Sequence, residues 1–110
     1  MAQWFKALNT GTISAGSSGE VEWTLDKDYT LKFVMLTERS DQSLTAVKTF
    51  IQLGEEVKTK DYVIAEAVGT DWRSAWRPEV RLTRGTRIYF KFTNDGSTSV
   101  NIDVNMLFEE

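Results

Sequence analysis

The segment richest in side chains able to do chemistry is Asp71-Trp72-Arg73-Ser74-Ala75-Trp76-Arg77-Pro78, followed by Arg81, Arg84 and Arg87. Five arginines against one acid, Glu79, give residues 73–87 a local charge of +4. Arginine beside tryptophan can stack on a base, a sugar or another aromatic ring, and its guanidinium can fork onto carboxylate or phosphate. The same two residue types are enriched at the energetic centres of protein–protein contacts. Pro78 argues against one helical face through Arg73, Arg77 and Arg81. The residues therefore read, in order of preference, as solvated strand positions around one core Trp, as a subunit contact, or as a nucleic-acid or glycan site.

Little else in the chain has catalytic vocabulary. Cysteine and histidine are both absent, which excludes disulfides, thiolate zinc sites, thiol nucleophiles and His-dependent triads. Asp26 with Asp28, and Asn94 with Asp95, offer the oxygen ligands calcium accepts. Both pairs fall where turns are expected, and Asx residues favour turns through their own local hydrogen bonds. No EF-hand spacing, Gly-rich phosphate loop or nucleophile elbow is present. A domain this small leaves little room for a cleft between paired carboxylates. The expectation is a protein that is not an enzyme and holds no metal or cofactor.

The elements that carry these residues follow from alternation. Val21, Trp23 and Leu25 alternate with Glu20, Glu22 and Thr24, and Ile88, Phe90 and Phe92 alternate with polar neighbours. The clearest run is Val100, Ile102, Val104, Met106 and Phe108, interleaved with Asn101, Asp103, Asn105 and Leu107. This period of two marks half-buried strands. Tyr29–Thr37 is apolar on both faces near Phe33–Leu36, as a strand covered on both sides would be. Tyr62–Val68 and Val80–Leu82 read as further short strands. Ser43–Leu53 fits helical spacing at Leu44, Val47 and Ile51, but Thr45, Val47, Thr49, Phe50 and Ile51 suit a strand better. Leu53-Gly54-Glu55-Glu56-Val57 reads as a tight hairpin turn. Thr12–Gly19 is expected as a loop into the strand at Val21. Trp4, Phe5 and Leu8 form a first strand, or an N-terminal arm over residues 1–8 that docks on a neighbour.

Turn signals recur at short intervals from Asn9–Gly11 to Asn94–Ser97, which predicts an all-β antiparallel sandwich. Seven to eight strands are expected, with a jelly roll preferred over an immunoglobulin-like arrangement because no Cys–Trp–Cys core exists. The 110 residues make one domain, 1–110. Thirteen basic against sixteen acidic side chains give net −3, which argues against general binding to nucleic acid or anionic membranes. Residues 1–8 lack a signal-peptide apolar run, and no stretch approaches a spanning helix, so synthesis and folding in the cytoplasm are expected.

The turn and strand grammar has one familiar counterpart. Gly-Ser-Ser-Gly-Glu-Val, Leu-Asp-Lys-Asp-Tyr-Thr-Leu and the closing Arg-Gly-Thr-Arg-Ile-Tyr-Phe-Lys-Phe-Thr-Asn-Asp-Gly-Ser-Thr-Ser-Val-Asn-Ile-Asp-Val resemble small jelly-roll proteins of virus and phage particles. The likeness spans residues 12–108. It implies a structural virion protein, a capsid or decoration component, whose partners are copies of itself or other virion proteins. The alternative is a carbohydrate- or receptor-binding module using Trp72 and Trp76. The residues expected at a subunit or ligand contact are Trp4, Phe5, Trp72, Arg73, Trp76, Arg77, Arg81, Arg84 and Arg87.

Overall fold

The computed structural model of the protein describes residues 2–59, 63–71 and 73–110. Four strands come first: β1 (Gln3–Ile13), β2 (Ser18–Thr24), β3 (Tyr29–Glu38) and β4 (Val47–Leu53). Two short strands, β5 (Glu56–Val57) and β6 (Val63–Ile64), lie along β4, and one helical turn, α1 (Ala65–Val68), follows. Then come β7 (Val80–Leu82), β8 (Arg87–Asn94) and β9 (Val100–Glu109). They form two antiparallel sheets, β1-β9-β3-β7 and β2-β8-β4-β5, with β6 also paired to β4. The all-β antiparallel sandwich read from the sequence is the fold.

The pairing follows one rule. The first strand pairs with the last, the second with the second-last, β3 with β7, and β4 with β5. The chain is thus a long antiparallel ribbon rolled so that successive pairs fall in alternate sheets. Side chains alternate into the space between them. Ile88, Phe90, Phe92 and the whole row Val100, Ile102, Val104, Met106 and Phe108 are buried. That row belongs to β9, which has strands on both sides. Each such side chain stabilises the fold by about 1.5–3 kcal/mol relative to an exposed one.

Several expectations change in detail. Ser43–Leu53 resolves as strand from Val47 onward, with Val47, Thr49, Ile51 and Leu53 opposite Asn94, Phe92, Phe90 and Ile88. Within Tyr62–Val68, only Val63–Ile64 is strand, and Ala65-Glu66-Ala67-Val68 makes a helical turn, as two alanines and a glutamate favour; Tyr62 lies outside the described residues. Thr12 and Ile13 belong to β1 and Ser18 and Gly19 to β2, so the expected loop shrinks to residues 14–17. Residues 3–8 are no free arm, because each pairs with β9. Phe33 and Val34 are both buried but on opposite faces of β3, Phe33 outward under the Arg77 guanidinium and Val34 inward, and the β3–β9 register shifts between Leu31 and Phe33. An extra residue there turns Phe33 to the outer face while Val34 stays inside.

Glu38, at the end of β3, ties three segments together. Its carboxylate accepts the backbone N–H groups of Ser40 at 2.6 Å, Gln42 at 2.8 Å and Asn101 at 2.6 Å. Burial opposes ionisation, yet the three donors outweigh it and hold the carboxyl below its ordinary value. Asp103, hydrogen-bonded by Arg39, is lowered as well. A group with a lower pKa folded than unfolded adds stability above the unfolded value, and that stability is lost as pH falls through the folded one. With no histidine to titrate, the melting temperature should be level from about pH 6 to 8 and fall below about pH 4.5. Glu38→Gln should cost about 1–2 kcal/mol at neutral pH and flatten the acid slope. Parallel melts of the two proteins from pH 7 to 3 check this, and identical slopes would remove Glu38 from the account.

Candidate functional site

The segment singled out by its Trp and Arg residues is pinned to the free side of β3. Gly69 accepts the N–H of Leu36 at 2.8 Å, and Trp76 exchanges two backbone hydrogen bonds with Val34, at 2.8 and 3.0 Å. Between them, Asp71 Oδ1 accepts the backbone N–H and the hydroxyl of Ser74, at 2.9 and 3.0 Å. Those bonds, the backbone one foremost, hold the Asp71 carboxyl below its usual value. Arg73 is exposed, and Trp76 is half-buried and packs against the core. Trp72 lies outside the described residues.

The sandwich separates the arginines. The Arg77 guanidinium lies 5.7 Å from the centre of the Phe33 ring and donates to the Ala75 carbonyl. Arg81, on β7, donates to Thr30 Oγ1 at 3.3 Å. Both flank the outer face of the β1-β9-β3-β7 sheet. Arg84 occupies the turn after β7, where its backbone N–H donates to Asp28 at 2.7 Å. Arg87 lies on the outer face of the opposite sheet, paired with Glu22 and 4.5 Å from the Tyr89 ring centre. Residues 73–87 are one charged stretch in sequence and at least three places in space.

Trp4 and Phe5 also part company, because neighbours on a strand point to opposite faces. Trp4 turns inward and meets Trp23, Tyr29 and Phe108 at ring separations of 5.8, 4.9 and 5.1 Å. Phe5 points outward and is 64% exposed. Leu107 is its cross-strand partner on β9, and Phe33 is the partner of Leu107 on β3. Ala7, Asn105 and Met35 form the next row. Phe5, Leu107, Phe33 and Met35 therefore make an apolar stripe across three strands, with Arg77 at its margin. Leu107 was visible in the sequence as the one apolar residue among the polar positions of β9. Phe33 became an outer residue only through the register shift.

The edges of the β1-β9-β3-β7 sheet are guarded. On edge strand β1, Lys6 points toward the seam between the sheets, with its Nζ 5.0 Å from the Trp23 ring centre, and the ladder is broken between Asn9 and Thr12. At the opposite edge β7 has three residues and follows Pro78 by one residue. Inward charges, bulges, prolines and short strands all oppose strand addition.

The oxygen-rich turns have structural partners. Asp26 accepts the Tyr29 hydroxyl at 2.9 Å, and Asp95 pairs with Lys48 at 3.0 Å. Asn94, buried between the strand ends, donates to the carbonyls of Ile13 and Thr98 and accepts the N–H of Gly96. Among the described residues no group of three or more acidic side chains is placed to hold a metal ion. A cleft of about 340 Å³ at one end of the sandwich is lined by Leu36, Glu38, Asp41 and Glu66 among others, but the Glu38 oxygens are already occupied by backbone donors. No helix among the described residues is long and apolar enough to cross a membrane. Neither a family model nor a curated protein matches this chain.

Proposed function

We propose that this protein is a non-enzymatic structural subunit that works by protein–protein assembly, as a capsid or capsid-associated decoration component of a virus particle. Folding in a host cytoplasm would precede its incorporation. The observation that carries this reading is the apolar stripe Phe5, Leu107, Phe33 and Met35 on an outer sheet face, with a 64% exposed Phe beside an Arg-covered one. Aromatic and Arg side chains grouped this way are typical of contact centres. With the edges of that sheet guarded, contact on it falls to its outer face.

The strand order supports a jelly roll over an immunoglobulin-like sandwich. In the latter, consecutive strands form hairpins within a sheet. Here β1 pairs with β9 and β2 with β8, as a ribbon rolled into two Greek keys would. That roll serves viral capsid proteins and also lectin domains, so the order alone does not choose between them. The carbohydrate reading now rests on Trp72, since Trp76 packs against the core.

The test is the solution mass of the purified protein, by light scattering behind size exclusion, from micromolar to millimolar concentration. A defined oligomer or particle is expected. A monomer across the whole range would overturn self-assembly.

A further inference from the structure

We propose that the outer edge of β2 takes an extended segment of a partner chain as an added strand, with Lys or Arg beside Glu20 and Glu22 and apolar residues between them. β2 ends the second sheet, and its register with β8 runs unbroken from Ser18 opposite Thr93 to Thr24 opposite Arg87. The bonds at its two ends fix the direction of its backbone groups. The Ser17 carbonyl accepts the Asn94 N–H at 2.9 Å, and the Leu25 N–H donates to the Thr86 carbonyl at 2.9 Å. Antiparallel residues alternate in the side to which they turn their backbone groups. Gly19, Val21 and Trp23 therefore face β8, while Ser18, Glu20, Glu22 and Thr24 turn N–H and C=O away from the sheet. Ile13 packs against Gly19, where an added Cβ would lie 2.8 Å from it, so the accessible stretch is residues 20–24. Glu20, Glu22 and Thr24 are all exposed. The strand has no proline, no ladder break and no inward charge, the devices that guard the other sheet.

The charges around this edge choose its occupant. Glu20 accepts the Tyr89 hydroxyl and lies opposite Lys91, and Glu22 is paired with Arg87. All these partners stand on β8, one strand inward. Strands lie about 4.8 Å apart, so an added strand has the glutamates as immediate neighbours and the cations of β8 roughly twice as far away. Opposite charges directly across a ladder stabilise it, and like charges oppose it. A second copy docking by the same edge runs antiparallel about a two-fold axis. Registers centred on Glu20, Val21 or Glu22 then set Glu20 against Glu20, Glu20 against Glu22, or Glu22 against Glu22. The glutamates thus oppose self-pairing and favour a strand with cations in register. Its alternate side chains fall beside Val21 and Trp23, at the seam where Lys6 of β1 lies 5.0 Å from the Trp23 ring centre. An apolar side chain extends the Trp23 contact there, whereas a cation would meet Lys6. Strand addition of this kind takes its affinity from main-chain bonds and its selectivity from alternate side chains. It goes beyond the assembly of like subunits, since it requires no contact between copies.

The probes are a short synthetic peptide of alternating lysine and valine and a counterpart with glutamate for lysine, each added to the whole chain at low salt. Amide exchange followed by NMR reads the edge directly. The N–H groups of Glu20, Glu22 and Thr24 should exchange roughly tenfold more slowly with the lysine peptide bound. Its affinity should exceed that of the glutamate peptide by about tenfold. Thr24→Pro removes one outward N–H and no bond to β8, so it should keep the cooperative melt and weaken the lysine peptide by about fivefold. The double variant Glu20→Lys/Glu22→Lys should reverse the preference between the peptides. Where one variant loses its cooperative melt, the other carries the test. Exchange at Glu20 and Glu22 unchanged by the lysine peptide overturns the proposal, as do equal affinities for the two peptides or binding that Thr24→Pro leaves intact. Exchange at those amides already slow in the chain alone, and faster on dilution, would put a second copy on the edge and overturn it as well.

Discussion

A chain lacking residues 1–8 is expected to lose cooperative folding rather than an attachment arm. Residues 3–8 each face a β9 partner, from Gln3 opposite Glu109 to Leu8 opposite Val104. Without them, β9, now paired on both sides, becomes an edge. Trp4 departs as well, and with it contacts to Trp23, Tyr29 and Phe108. Truncating a fully buried large aromatic costs about 3–5 kcal/mol, and Trp4, half-buried against the core, falls at the low end of that range, against a total domain stability of roughly 5–15 kcal/mol. Adding the lost ladder, the deletion consumes most of that margin. Near-UV circular dichroism followed through a thermal melt should show no sharp transition. The single change Trp4→Ala should keep the transition and lower it by roughly 12 °C, about 3 kcal/mol at near 4 °C per kcal/mol. A truncated protein melting cooperatively within a few degrees of the full chain would instead mark residues 1–8 as dispensable to the fold.

Gly69→Ala should be nearly as damaging, for a different reason. Gly69 has φ +115°, a conformation L side chains rarely adopt, and its carbonyl accepts the Leu36 N–H. A Cβ there would lie 2.4 Å from the Ser74 carbonyl oxygen and 2.6 Å from the Ala75 Cα. Both obstacles are backbone, so no side chain can rotate away. Strain at such a φ costs on the order of 1–3 kcal/mol, and overpacking of this kind adds about 1–3 kcal/mol. The expected loss is about 3–5 kcal/mol, seen as a melting temperature lower by more than 10 °C. The variant should also loosen the segment through Trp76, seen as faster amide exchange at Val34 and Trp76. A melt unchanged by the substitution would mean that the 69–75 approach is not held in solution.

These two sites differ in how readable they are. Trp4 announces itself, since an aromatic so near a chain end has to pack on something. What it packs on follows from β1 pairing with β9, a contact about a hundred positions distant along the chain. Gly69 reads only as a turn residue, and nothing local reveals that another backbone segment passes within van der Waals distance. Ala65–Val68, within the strand expected over Tyr62–Val68, forms a helical turn for a related reason. Short apolar stretches carry no period long enough to separate strand from helix.

Local chemistry decided the sandwich. Alternation in β2, β8 and β9 set which side chains enter the core, because a strand has only two faces and burial selects one. The absence of cysteine and histidine removed whole classes of reaction by chemistry alone. Tertiary structure decided where the exposed residues meet. It scattered Arg77, Arg84 and Arg87 over different faces, joined Phe5 to Leu107 and Phe33, and set Val57 and Ile64 on the far side. Surface neighbours are created by strand order and register, and both depend on contacts between distant parts of the chain. A single register shift before Phe33 turned a core-like residue into part of an outer stripe.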